Sequence, residues 1–345
     1  MKKSLLFLLS LLMLFVAGCS SSSSGGASGD KDTLTIAWLP NESGADLTEA
    51  RDEIGKIIEE KTGKKVKHQT TTDYIVAIEA VANGNADMAF LGAQGYIEAH
   101  NKNDKVLPLV VPTGASGTLD DAVYYSWLAA EKDNADQYKE GDGFAIDNIQ
   151  GKKFSFVSNS STSGFKVPST GIVDYFSEKA EFKDLTAEDL LEGGDGNFFS
   201  EVLYGGSHQG SAVNLLSGKA DVAAFCDTCV NNYVELEDGE ENRPGAIYKV
   251  KTDAAEPFNT VTGKEFQLIS VTPVLNAPFV VNTDNISEDL QAQLLEVMTS
   301  DEITNNEKVF VPEDSEFSGL FKKTADERLV EVKDEWFNPI RELSK

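Results

Sequence analysis

Apolar and polar positions alternate from Thr33 to Pro40 (TLTIAWLP), which puts Leu34, Ile36 and Trp38 on one side, the period of a strand. The period then lengthens. Through ADLTEARDEIGKIIEEKTG the residues Ile54, Ile57 and Ile58 share a helical face, and Gly63 supplies the stop. Lys65 to Thr72 predicts a second strand, Asp73 caps a helix written YIVAIEAVANG, and ADMAFLG follows as a buried strand. In outline this is a right-handed βαβ unit.

The same phrase returns later. VANGNADMAFLG at Val81 to Gly92 and LLSGKADVAAFC at Leu215 to Cys226 each give a helix end, a glycine turn, an Ala-Asp pair and a buried strand. Asp87 and Asp221 hold corresponding positions. Two such joints, each inside an α/β run, predict two similar lobes. The run from Asp121 to Asp133 leaves the first lobe and the strand-like run from Val271 to Asn282 brings the chain back, so two crossovers make a hinge. The expected division is 32–128 for lobe one, 129–272 for lobe two and 273–345 for the return. In that return, one helix from Ser287 to about Ser300 and another through Thr324 to Trp336 are expected on lobe one.

Open α/β sheets bind ligands beyond the carboxyl ends of their strands. The ends to inspect are Pro40-Asn41, Thr72 to Tyr74, Leu91 to Gln94, Ser158 to Ser163, Tyr204 to His208 and Cys226 to Thr228. One of them carries NSSTSGFKVPS, Asn159 to Ser169, just before the helical run GIVDYFSEKA. The first turn of a helix has backbone N–H groups without intrahelical partners and the positive end of the dipole, so a tetrahedral oxyanion there meets converging donors. Hydroxyls add donors without charge. A Ser/Thr N-cap with a flexible approach is the plainer reading of the same residues.

The N-terminus changes the setting. Lys2 and Lys3 precede LLFLLSLLMLFVA, which ends at Gly18-Cys19 and is followed by a Ser/Gly-rich stretch. This is a secretory leader, too short for a comfortable span. Val16 to Cys19 matches the bacterial lipobox, which predicts a leader at 1–18, lipidation of Cys19 and a flexible tether over 19–31. The formal net charge is −27 and becomes more negative once the leader's lysines are removed. Such a chain repels nucleic acid and anionic lipid, which excludes a nucleic-acid partner and leaves the lipid as its only membrane contact. Salt screens that field over about a nanometre, so short-range hydrogen bonds to a small anion still win. Cys226 and Cys229 are the only cysteines left, read as a small-loop disulfide or buried thiols; a zinc site would need ligands that His68, His100 and His208 do not supply at the usual spacing.

TTDYIVAIEAVANGNADMAFLG, NSSTSGFKVP and SHQGSAVNLLSGKADVA, in that order, resemble the phosphonate-binding proteins of ABC importers, a branch of the type 2 periplasmic binding proteins that includes phosphite and phosphate binders. The resemblance runs from Leu34 to the C-terminal region. It implies an α/β, two-lobed type 2 fold with a cleft, no catalysis and no cofactor, a small phosphorus oxyanion as ligand, a membrane permease as partner, and a monomer outside the cytoplasm. It also implies that Ser161, Thr162 and Ser163 hold the oxyanion, that His208 contacts it from thirteen residues before Asp221, and that lobe one closes Tyr74 and the loop Leu91 to Gly95, with Gln94, over it. An anion's field would raise the pKa of His208 and favour a doubly donating imidazolium, although a lone histidine in a Gly-rich loop also reads as a surface residue. Asp227 either accepts the proton of a P–OH group or caps a loop beside the cysteines.

The chain departs from the family where aminoalkyl phosphonates are read, with Leu91 in place of a tyrosine and Ala277-Pro278 where an acidic residue precedes the proline. That points to phosphite, phosphate or methylphosphonate. Relatives of this fold that carry sulfonates, thiamine precursors or ferric iron are a rival reading, for which Tyr124, Tyr125 and Trp127 are available, though their place in the crossover suggests hinge packing. An enzyme reading rests on Ser163-Gly-Phe-Lys166, which fits the S-x-x-K nucleophile motif, but no S-D-N follows and the only K-T-G, Lys61 to Gly63, lies upstream.

Overall fold

The computed structural model describes residues 31–312, 315 and 317–343. The leader, Cys19 and almost all of the tether lie outside them. The first half-turn of the fold is β1 (Thr33–Trp38), α1 (Thr48–Thr62), β2 (Lys65–Thr70), α2 (Tyr74–Ala82), β3 (Met88–Phe90), α3 (Ala93–Lys102) and β4 (Val106–Pro112). As expected, α1 stops at Gly63, whose φ of 69° is open to glycine at no steric cost. Asp73 caps α2 by accepting from the Ile75 amide.

The chain then crosses into β5 (Val123–Glu131), a short hairpin of β6 (Lys139–Glu140) and β7 (Gly143–Phe144), β8 (Lys153–Phe156), α4 (Val167–Ser177), β9 (Glu201–Tyr204), α5 (His208–Leu216), β10 (Val222–Cys226), α6 (Asp227–Val230), β11 (Val234–Asp238), β12 (Ile247–Val250) and β13 (Glu265–Leu275). It returns through β14 (Phe279–Asn282), α7 (Glu288–Met298), α8 (Asp301–Thr304), β15 (Phe310–Pro312), β16 (Phe321–Lys323), β17 (Leu329–Glu331) and α9 (Asn338–Glu342).

Two sheets organise these elements. One runs β17-β4-β14-β3-β1-β2 and the other β11-β12-β13-β5-β10-β8-β9. β1 pairs parallel with β2 and β3, while β14 joins β3 and β4 antiparallel. The second sheet repeats the parallel trio as β10, β8 and β9. Both faces are covered at β3, β4, β10 and β14, which explains why these read as nearly continuous apolar runs, while the edge strands β2 and β11 do not. On β10, Val222 and Ala224 pack with Phe154, Phe156, Ile172 and Phe176, whereas Ala223 and Phe225 turn to the opposite core with Leu215 and Phe266.

The run from Val271 to Asn282 is two strands. Asn276, Ala277 and Pro278 interrupt it, so β13 ends in the second sheet and β14 begins in the first. The two crossovers touch, since Asn276 donates through its amide to the Ala122 carbonyl at 3.0 Å and through Nδ2 to the Pro112 carbonyl at 2.7 Å. The helix expected through Thr324 to Trp336 is absent. Leu329 to Glu331 instead forms the edge strand β17 against β4, and a short turn over Asp334–Phe337 leads into α9. Val330 and Val332 favour extended backbone, and pairing with distant Val110 to Pro112 outweighs the helix-like spacing of Leu329 and Val332.

The repeated Ala-Asp joint has a structural cause. Asp87 returns its carboxylate to the Thr35 amide at 2.8 Å while its own amide donates to the Thr35 carbonyl. Asp221 does the same with Lys153, at 2.9 Å for the carboxylate bond. Each aspartate thus staples its strand to the first strand of its parallel trio. Asp87 is buried and Asp221 exposed. Asp221→Ala is expected to lower stability by about 0.5–1.5 kcal/mol, the range for a solvent-reachable bond, and Asp87→Ala by more; urea unfolding of the two variants gives the order.

Candidate functional site

The staples set two helix starts in equivalent places. Tyr74 opens α2 behind the cap Asp73, His208 opens α5 behind the cap Ser207, and each stands thirteen residues before its stapling aspartate. Both side chains are buried against a cavity of about 480 Å³ between the sheets. The loops that follow β1 and β8 also face each other across it, bringing Asn41 and Glu42 from one side and Ser161, Thr162 and Ser163 from the other.

Sterics fix the serine turn. Residues Thr162 to Lys166 form a single wide turn that runs straight into α4, whose first turn carries Pro168. Ser161 Oγ caps it by accepting from the Gly164 amide at 3.1 Å, and the Lys166 amide donates to the Ser161 carbonyl at 2.9 Å. Gly164 is needed for close approach, since a Cβ there would stand 2.3 Å from Val157 Cγ2. Thr162 Oγ1 accepts from the Gln94 amide at 2.9 Å, which leaves its hydroxyl hydrogen to donate. Ser126 on β5 holds the Ser163 carbonyl at 2.6 Å, yet Ser163 Oγ is buried without a partner.

His208 is neutral. Burial lowers its pKa to about 3, and its Nδ1 accepts from the Cys226 amide at 3.0 Å, so the proton sits on Nε2, 3.4 Å from Ser161 Oγ. A doubly donating imidazolium therefore has no place here, because Nδ1 is already an acceptor. Tyr74 accepts from Asn41 Nδ2 at 2.6 Å, and burial raises its pKa, so its hydroxyl stays a donor beside Ser161.

Asp227 lines the same cavity at the start of α6. It accepts from the Tyr125 amide at 2.9 Å, and burial raises its pKa to about 6. Gln94 lies elsewhere. Its backbone amide reaches Thr162, but its side chain turns to Glu98 at 2.9 Å and lies off the cavity wall. Cys226 and Cys229 are joined by a disulfide, so with His208 they offer no thiolate pair to a metal. Lys166 is not among the residues lining the cavity on whose wall Ser163 stands.

Several residues at this site escaped the sequence reading. Asn41 ties the two sides together, accepting from the His208 amide at 3.0 Å and, through its carbonyl, from Gln209 Nε2 at 3.1 Å. Tyr124, expected in hinge packing, lies on the wall beside Ser163 and Thr162. Among the described residues, five buried side-chain atoms have no hydrogen-bond partner: Glu42 Oε2, Tyr138 Oη, Ser163 Oγ, Gln209 Oε1 and Asn231 Oδ1. All but Tyr138 belong to residues lining this cavity. Buried polar atoms are nearly always paired, so their concentration at one place marks it as the candidate site.

Two sheets of like topology, joined by two adjacent crossovers and flanking a cavity with buried donors on its wall, define a two-lobed solute-binding protein. The family model for the periplasmic substrate-binding protein of phosphonate ABC transporters matches residues 36–337, and the chain belongs to that family. The Phosphate-import protein PhnD of Mycolicibacterium smegmatis is 29% identical over 240 residues, covering 69% of this chain and 68% of that one. The fold is similar to a binding protein component of an ABC phosphonate transporter from Pseudomonas aeruginosa, with TM-score 0.63, 19% identity and coverage of 90% and 85% of the two chains. It is also similar to PhnD1 from Prochlorococcus marinus in complex with methylphosphonate, with TM-score 0.60, 15% identity and coverage of 91% and 97%. The protein is thus the extracytoplasmic binding component of an importer, it works with a membrane permease, and it is not an enzyme. Among the described residues no helix is long and apolar enough to cross a membrane.

Proposed function

We propose that this cleft captures a small phosphorus oxyanion, a phosphonate, phosphite or phosphate, and delivers it to the permease. Ser161, Thr162, Ser163 and the Nε2–H of His208 donate from the second lobe, and Tyr74 donates from the first. The α3 start around Gln94 closes the site by gripping Thr162. Asp227 accepts the proton of a P–OH group. The observation that carries this reading is Ser163 Oγ, a buried hydroxyl with no partner at the mouth of a helix, on a cavity wall it shares with Tyr74, Ser161, Thr162 and His208. A phosphate importer and a methylphosphonate complex among the relatives agree with that chemistry.

The lobes are the segments before and after the crossovers, with 273–345 returning to the first. The N-terminal pattern supports a leader at 1–18, a lipid on Cys19 and a tether over 19–31, so that a monomer swings above the membrane within reach of its permease. Titration calorimetry against phosphite, phosphate, methylphosphonate, 2-aminoethylphosphonate and sulfate tests the ligand class. The first three are expected to bind more tightly than the last two, and a preference for sulfate over every phosphorus species would overturn the assignment.

A further inference from the structure

We propose that Glu42 is a specificity-determining residue of this site, and that its carboxyl holds one proton in common with an oxygen of the bound anion. The inference rests on the oxyanion reading above and deepens it. Glu42 Oε2 is fully buried, lacks a partner and belongs to the cavity wall that also carries the unpartnered Ser163 Oγ. The two come from equivalent loops, one after β1 and one after β8. Glu42 is held there by its neighbour, since Asn41 is bonded to Tyr74, His208 and Gln209 at once.

Among the described residues no cation bonds to this carboxyl, and burial outweighs the Arg51 charge and the Asn41 hydrogen bond that favour its ionised form. The nearest, Arg51 on α1, spends its guanidinium on the backbone carbonyls of Glu42 and Gly44 and on the Thr48 hydroxyl. From the other elements Glu42 faces phenols: Tyr74 on α2, Tyr124 on β5 and Tyr233 beyond α6. Burial raises all three above the ordinary tyrosine range, so they stay neutral. His208 is neutral as well, while Lys322 and Glu241 sit by Asp227. An ionised Glu42 would therefore confront the anion directly. A protonated one donates to it.

Burial supplies that proton, raising the Glu42 carboxyl to about 8. Free protein carries the proton below that pH and loses it above. Binding a dianion above about pH 8 must then draw one proton from solvent onto Glu42, and the proton lies between a carboxyl oxygen and a phosphorus-bound oxygen in the complex. Asp227, at about 6, and His208, at about 3, do not change charge in that range.

The test is calorimetry of inorganic phosphate binding at about pH 9 in two buffers of different ionisation enthalpy, which yields the number of protons taken up. The unmodified protein is expected to take up close to one proton, and its affinity to fall about tenfold per pH unit above about pH 8. E42Q is expected to take up none and to bind with an affinity flat over the same range. Phosphate binding by the unmodified protein without proton uptake overturns the role of Glu42 whatever becomes of the variant, as does equal uptake in E42Q. So does a Glu42-dependent gain for 2-aminoethylphosphonate over methylphosphonate, which would make the carboxylate an acceptor for an ammonium. Failure to bind any member of the panel would instead strike the oxyanion reading itself, and this inference with it.

Discussion

Replacing Ser163 by alanine is expected to weaken binding of the phosphorus oxyanion by about 10- to 150-fold, a loss of roughly 1.5–3 kcal/mol, with no fall in melting temperature. The two effects separate because of what the hydroxyl does in the free protein. It is buried with no partner in good hydrogen-bond geometry and with the Tyr124 phenol beside it, so the fold bears its desolvation with little return. The backbone at Ser163 is held independently, through its carbonyl and the Ser126 hydroxyl. Alanine keeps that bond and removes only Oγ. A serine that merely capped a helix would behave in the opposite way, losing stability and leaving affinity alone. Calorimetry paired with a thermal melt distinguishes the outcomes, and an unchanged affinity with a lowered melting temperature would remove Ser163 from the site.

Much of this site could be read locally, and the rest depended on contacts no local pattern contains. Asp73-Tyr74 and the serine turn are short-range motifs, each created by a cap or a turn within a few residues, whereas His208 was marked by the resemblance through its spacing from Asp221, whose staple to Lys153 spans the lobe. Glu42 sits one residue past a strand end that the sequence already marks, and nothing nearby says that its carboxyl points into a cavity. That follows only once Asn41 is pinned across the cleft by His208 and Gln209. The equivalence of the loops after β1 and β8, which follows from the two Ala-Asp joints, is the signal that would have reached it. Tyr124 keeps the crossover place expected of it, paired opposite Val274, and also reaches the cavity wall. Its strand is a crossover, and crossover strands in this arrangement form the floor of the cleft, so β5 offers Ser126 to the serine turn and Tyr124 to the cavity. The Gln94 side chain went to Glu98 because an i, i+4 pair on α3 is closer at hand than a ligand. At the C-terminus, Leu329 and Val332 carry a helical spacing, and only pairing with β4, some two hundred residues earlier, makes them extended.

The uncharged character of the donors fits the composition of the chain. With a formal charge of −27, the protein gathers no anions by long-range attraction, and affinity must arise at contact. Inside the cleft each hydrogen bond gains from the exclusion of water, so closing the lobes is part of binding energy and not only a gate. Contacts that span the cleft include Asn41 with His208 and Gln209, Gln94 with Thr162, Tyr233 with Asp46 at 2.7 Å, and Asn232 with the Gly319 carbonyl at 3.3 Å.

Gly92→Ala tests closure by itself. Gly92 precedes α3 with φ −64° and ψ 160°, a conformation open to any residue, so alanine brings no backbone strain. By restricting the unfolded chain it should leave stability unchanged or raise it by about 0.4–1 kcal/mol. The added Cβ, however, would stand 2.8 Å from Thr162 Oγ1 across the cleft. Thr162 is β-branched and its hydroxyl is held by the Gln94 amide, so relief means breaking that bond or backing the lobes apart. Overpacking of this kind costs roughly 1–3 kcal/mol, and here the cost falls on the closed state alone, weakening ligand binding by about 5- to 150-fold. Thr162→Ala in the same background removes the offending oxygen and leaves Thr162 Cβ at 3.8 Å, an ordinary contact. Thr162→Ala also removes a proposed donor, so the double variant is expected to lose less affinity than the two single losses summed. Measured as a double-mutant cycle, the two substitutions are expected to couple favourably by more than about 0.5 kcal/mol, the threshold above which neighbours cease to be additive. Strict additivity of the two losses would mean that Gly92 and Thr162 do not meet in the ligand-bound protein, and that the lobes close along a different path.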